Sequence, residues 1–166
     1  MKTKCSLLLL ACGLAPVRGA EVVVSSVADL QAAVNRAQPG DVVVLANGTY
    51  TNNVITVTTS NITLRAATSG SVFLNGTNAI IIRGNDIVFS GFQFTSGSIP
   101  GIAIEVRGSG NSLTQLNFNG YSAQKYIAFK PGTQHNTITY SNFQNKPVTA
   151  PNRRLGCAAA VERQIW

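Results

Sequence analysis

The chain has 166 residues, of which 45% are hydrophobic and only 11% charged, and a formal net charge of +7. That length fits one domain, and the low charge excludes a charge-driven disordered chain or a coiled coil, since soluble proteins ordinarily carry about 25% Asp, Glu, Lys and Arg. Asn, Thr, Ser and Gly fill the deficit, a balance that points to strands and turns. First in chain order comes a leader: Lys2 and Lys4, an apolar run from Leu7 to Ala15, then Gly19 and Ala20. This is the layout of a secretory signal peptide, here expected to be cleaved after Ala20, and the run is too short to span a bilayer. Leu9-Leu10-Ala11-Cys12 approximates a lipobox and gives a lipid-anchored alternative. The expected location is extracellular, or periplasmic or lipid-anchored in a bacterial host, with no membrane association after cleavage. Losing the leader removes Cys5 and Cys12, so Cys157 has no internal disulfide partner, and His135 as the single histidine leaves no Cys/His zinc constellation.

The next element is a short helix. Ser26-Val27-Ala28-Asp29 forms a capping-box-like start, Leu30, Ala33, Val34 and Ala37 fall at helical spacing, and Pro39-Gly40 ends the segment. Laid across the end of a stack of strands, such a helix covers an open edge. Strands are expected at Val42 to Leu45, Ile55 to Thr58, Ile62 to Leu64 and Val72 to Leu74, and again at Ile80 to Ile82, Ile102 to Val106 and Tyr126 to Phe129, with Gly or Asn between them.

From here the chain repeats with a period near 25 residues. Asn85, Asn111 and Asn136 align, each followed seven residues later by an aromatic, Phe92, Phe118 and Phe143. Ile62, Ile87, Leu113 and Ile138 align in the same frame, as do Leu64, Phe89, Gln115 and Tyr140. A repeat of this length built from short strands without intervening helices predicts an all-β fold, a parallel β-helix, in which like positions stack at about 4.8 Å. The aligned Asn and Phe residues are expected as structural ladders rather than ligands, because Asn tolerates left-handed turns and bonds its neighbour in the next coil.

The ordered set of Val27-Ala28-Asp29-Leu30-Gln31-Ala32-Ala33, Pro39-Gly40-Asp41, Asn47-Gly48-Thr49-Tyr50, Ile62-Thr63-Leu64-Arg65-Ala66, Ile87-Val88-Phe89-Ser90-Gly91-Phe92-Gln93-Phe94 and Tyr140-Ser141-Asn142-Phe143 resembles the alginate lyase and chondroitinase B family, polysaccharide lyase family 6. The likeness runs from about Val22 to Lys146. It implies a right-handed, pectate-lyase-like β-helix and β-elimination on an acidic, uronic-acid-containing polysaccharide of the alginate or chondroitin/dermatan type. That chemistry needs a cation on the uronate carboxylate, a base for the C5 proton and an acid for the leaving oxygen. The resemblance implies a Lys base, an Arg acid and Ca²⁺ held by Asn and Glu, on coils expected beyond residue 166.

Within residues 21–146 the acids are Glu21, Asp29, Asp41, Asp86 and Glu105, with no spacing that suggests a Ca²⁺ site. Lys130 and His135 are the candidate substrate contacts, with Lys125 nearby, against the plain alternative of solvated turn residues. The signal segment holds Lys2, Lys4 and Arg18 and the tail holds Arg153, Arg154 and Arg163, so the repeat body is close to neutral. The basic balance therefore gives no support to nucleic-acid binding. Three regions are expected: a signal peptide at 1–20, β-helix coils at 21–146, and an off-pattern tail at 147–166, read as a truncation, a frame shift or a small cap. The alternatives to a lyase are a non-catalytic carbohydrate-binding or surface β-helix and a uronate epimerase or other β-helix carbohydrate enzyme. A glycoside hydrolase would need a carboxylate pair that the repeats do not offer. A monomer is expected. Asn47, Asn61 and Asn75 head glycosylation sequons, relevant only in a eukaryotic host.

Overall fold

The computed structural model describes residues 19–147; the leader and most of the tail lie outside them. In chain order the elements are β1 (Glu21–Val24), α1 (Val27–Arg36), β2 (Val42–Leu45), β3 (Gly48–Thr51), β4 (Val54–Val57), β5 (Thr63–Ala66), β6 (Val72–Asn75), β7 (Ala79–Ile82), β8 (Val88–Ser90), β9 (Phe92–Thr95), β10 (Ser98–Val106), β11 (Ser112–Thr114), β12 (Asn117–Asn119), β13 (Ser122–Phe129), β14 (Thr137–Thr139) and β15 (Asn142–Gln144). Every third strand from β2 onward returns to the same sheet. One sheet is ordered β1-β2-β5-β8-β11-β14, a second β3-β6-β9-β12-β15 and a third β4-β7-β10-β13. All pairings within them are parallel. The result is a β-solenoid of about five turns with one short helix. Strand β1, an unanticipated addition, pairs with β2 through Glu21–Val42 to Val24–Leu45.

Alternation drives the packing, because successive strand side chains point to opposite faces. Inward residues stack into columns along the axis. One runs Val43, Leu64, Phe89, Leu113 and Ile138, and another Tyr50, Leu74, Phe94, Phe118 and Phe143. Phe94 and Phe118 stack with centroids 4.3 Å apart. Corners are turned by residues with positive φ. The corner before the first sheet uses Gly40, Asn61, Asp86, Gly110 and His135 in successive coils, and the N–H of each of the first four donates to a carbonyl of the coil above. Gly, Asn, Asp and His are the residue types that tolerate this conformation best.

The register corrects two of the expected ladders. Phe118 lies on Phe94, whereas Phe92 lies on Val72. Leu113 lies on Phe89, and the Asn111 side chain sits at Ile87, whose N–H its Oδ1 accepts at 2.9 Å. Asn85 belongs to a different stack: its N–H donates to Ser60 Oγ and its Oδ1 accepts from Ser109 N–H. This step is thus 24 residues, not 26, as the pair Phe89–Leu113 shows. A slip of two keeps every apolar residue facing inward, so the alternation cannot choose between the registers. The corner chooses: a Cβ on Gly108 would stand 1.9 Å from the Gly84 carbonyl oxygen, so these two glycines pack backbone to backbone.

Helix α1 closes the N-terminal end as expected. Ser26 caps it, accepting from Asp29 N–H at 3.0 Å, and Leu30 and Val34 are buried on the first coil. Gln31 meets the edge of β4 twice: its Oε1 accepts from Thr56 N–H at 2.8 Å and its Nε2 donates to Thr56 C=O at 2.9 Å. A side-chain amide thereby replaces the missing neighbour strand.

Candidate functional site: a row of cations on the third sheet

The outer face of the third sheet carries the chemistry. Val57, Ile82, Val106 and Phe129 are in register and point inward. The residues that follow them, Thr58, Arg83, Arg107 and Lys130, therefore point outward one above another. The backbone holds this alignment: Arg83 N–H donates to Val57 C=O, Arg107 N–H to Ile82 C=O and Lys130 N–H to Val106 C=O, at 2.7–2.9 Å. Successive members are separated by about one strand spacing of 4.8 Å.

Glu105 organises the upper half of the row. Its two carboxylate oxygens meet Arg107 Nε and Lys130 Nζ, the latter at 3.0 Å, while its side chain keeps only 15% of its exposure. Burial alone would raise the carboxyl pKa, but the hydrogen bonds and charges of Lys130 and Arg107 outweigh it and hold the group below its ordinary value. Glu105 thus stays ionised and fixes both cations. Arg83 is exposed, and its guanidinium has no hydrogen bond or ion pair among the described residues.

Lys130 and His135, the two substrate contacts expected from sequence, line one depression of about 740 Å³ formed by Phe129 to Thr139. Lys130 stands at the row and His135 at the corner, where its positive φ places it in the stack of Asp86 and Gly110. Asn136 also lines it, and its Oδ1 accepts from Asn111 N–H at 2.9 Å. The row Arg83–Arg107 was missed at the sequence level. Its signal is present, however, as Arg83-Gly84 and Arg107-Gly108, the same dipeptide one coil apart.

Four of the described carboxylates are already engaged. Glu21 pairs with Arg65, Asp29 bonds the Ser26 hydroxyl, Asp41 accepts from Ala20 N–H and Gln38 N–H, and Glu105 is held between Arg107 and Lys130. Among the described residues no three His, Cys, Asp or Glu side chains come together. Nor is any described helix long and apolar enough to cross a membrane.

The Chondroitinase B family model matches residues 24–153, and the chain belongs to that family. Among solved structures, the PL6 family alginate lyase AlyGC, in a mutant form, is 26% identical with a TM-score of 0.63, the match covering 72% of this chain and 19% of that one. A PL6 alginate lyase in complex with a trisaccharide is 32% identical with a TM-score of 0.53, over 64% of this chain and 23% of that one. A PL6 polysaccharide lyase from Pseudopedobacter saltans shares the fold at 20% identity and a TM-score of 0.64, over 79% and 39%. The chain thus spans well under half the length of these structures. No curated protein matches it.

Proposed function

We propose that the protein is a secreted polysaccharide-lyase-type β-helix directed at a uronic-acid-containing polysaccharide of the alginate or chondroitin/dermatan type. The family match over residues 24–153 carries this reading. In the proposal, residues 19–147 supply a carbohydrate-holding face. These residues bind and do not supply the base and acid of β-elimination, since two of their cations are committed to one carboxylate. Lys130 is bound by Glu105 as an ion-pair partner, and Arg107 shares the same carboxylate, so both serve as fixed positive charges. Fixed positive charge suits these two side chains to holding uronate carboxylates.

The test is to incubate the secreted chain with alginate, chondroitin sulfate, dermatan sulfate and pectin, following binding together with the ultraviolet absorbance of the unsaturated product. Binding to alginate or a chondroitin-type polymer without absorbance gain is the expected result. Absorbance gain would overturn the assignment of a binding role alone. Absence of binding to every acidic polymer would overturn the substrate class.

A further inference from the structure

We infer that Arg83, Arg107 and Lys130 form a linear subsite that holds an acidic polysaccharide parallel to the solenoid axis, with Glu105 as the residue that positions its upper two cations. The inference rests on the acidic-polysaccharide reading above and adds the residues, the direction of the chain and the division of roles.

Folding alone gives an incomplete account of this row. Like charges on directly adjacent strands are unfavourable, yet Arg83 and Arg107 stack on consecutive coils. Glu105 offsets part of the repulsion for Arg107 and Lys130. It forms no ion pair with Arg83, which stands one coil lower with its guanidinium free among the described residues. Arg107 is engaged through Nε, which leaves its two terminal nitrogens without a partner among the described residues. Both arginines thus present the planar, two-pronged donor edge that matches a carboxylate or a sulfate.

The row's form selects the kind of anion. Three cations at a regular axial spacing, with one carboxylate between two of them, suit a linear polymer carrying one negative group per unit better than a single compact anion. The outer positions beside the row are Thr56, Ile81 and Ala128, in register with Glu105. None is aromatic, so the face lacks the stacking platform on which single-stranded nucleic acids are held. Thr58 extends the row one coil further down with a hydroxyl, suited to a sugar rather than to its charge.

The experiment measures binding of the full chain to alginate at low and moderate salt for the parent and for Arg83→Gln, the Arg83→Gln/Arg107→Gln pair, and Arg36→Gln as a control on helix α1. Thermal melting verifies that each variant is folded. Arg83→Gln, having no described partner, leaves the fold intact and lowers alginate affinity several-fold. The double variant lowers it at least tenfold and flattens the salt dependence, while Arg36→Gln binds as the parent does. Parent-like binding by the folded double variant would overturn the row and leave the substrate class standing. A parent that binds neither alginate nor chondroitin sulfate would overturn both. Equal losses for Arg36→Gln would show diffuse attraction in place of a subsite. Single-stranded DNA bound as tightly at the same salt, through the same arginines, would replace the polysaccharide with nucleic acid.

Discussion

The first and the last described rungs of the solenoid are covered to different degrees. At the first coil, α1 buries Leu30 and Val34 completely and Gln31 occupies the edge of β4 with two hydrogen bonds. At the last described rung, the columns end in residues that are partly open: Ile138 is 40% exposed, Phe143 43% and Phe129 37%, although their partners one coil below are fully buried. The same column position therefore has a different energetic value depending on how many coils cover it. A solenoid derives its stability from neighbour contacts, so its rungs are not equivalent even when their sequences are.

The strongest way to break this comparison is to remove the middle. Leu113→Asp, or Ile87→Asp, places an unpaired charge in the fully buried interior, and loss of the cooperative melting transition is expected. A retained transition would refute the inward placement of these two side chains. Contrasting the two rungs comes next. Leu30→Ala is expected to cost about 2–5 kcal/mol in denaturant unfolding, against about 1 kcal/mol or less for the half-exposed Ile138→Ala; equal costs would remove the distinction between the two rungs. The smallest effect sharpens the cap itself. Ser26→Ala deletes the hydroxyl that accepts from Asp29 N–H and should cost about 1 kcal/mol, with faster amide exchange confined to α1 and the β4 edge it covers.

Much of the fold is legible in the residues. The cap follows from Ser26 and the helical spacing of Leu30 and Val34, and the coils follow from a period of short alternating segments. Three features are hidden for physical reasons. The two-residue register choice is invisible to alternation, and rests on the close approach of Gly84 and Gly108. Strand β1 lies against the leader in sequence, and only pairing with β2 reveals it. Asn78, fully buried, reads as one more turn residue; its interior place depends on Asn53 and on Tyr121, whose hydroxyl accepts from Asn78 N–H at 2.9 Å from 43 positions along the chain. For the candidate site, Lys130 and His135 were accessible as isolated charged or titratable residues. Arg83 and Arg107 gain meaning only when the coil spacing sets one above the other.

Strand β10 holds one residue more than its neighbour. Pro100 and Gly101 lie between the pairs Ile99–Ala123 and Ile102–Lys125, opposite Gln124 alone, and the pairing resumes beyond them through Val106–Phe129. The extra residue bulges sideways, as bulges do, and the cations that follow it still align. Length added around the circumference of a coil is absorbed there and does not travel along the axis. Such a molecule can remodel its outline, lengthening a corner or a strand, while the vertical order of its columns and charges is preserved.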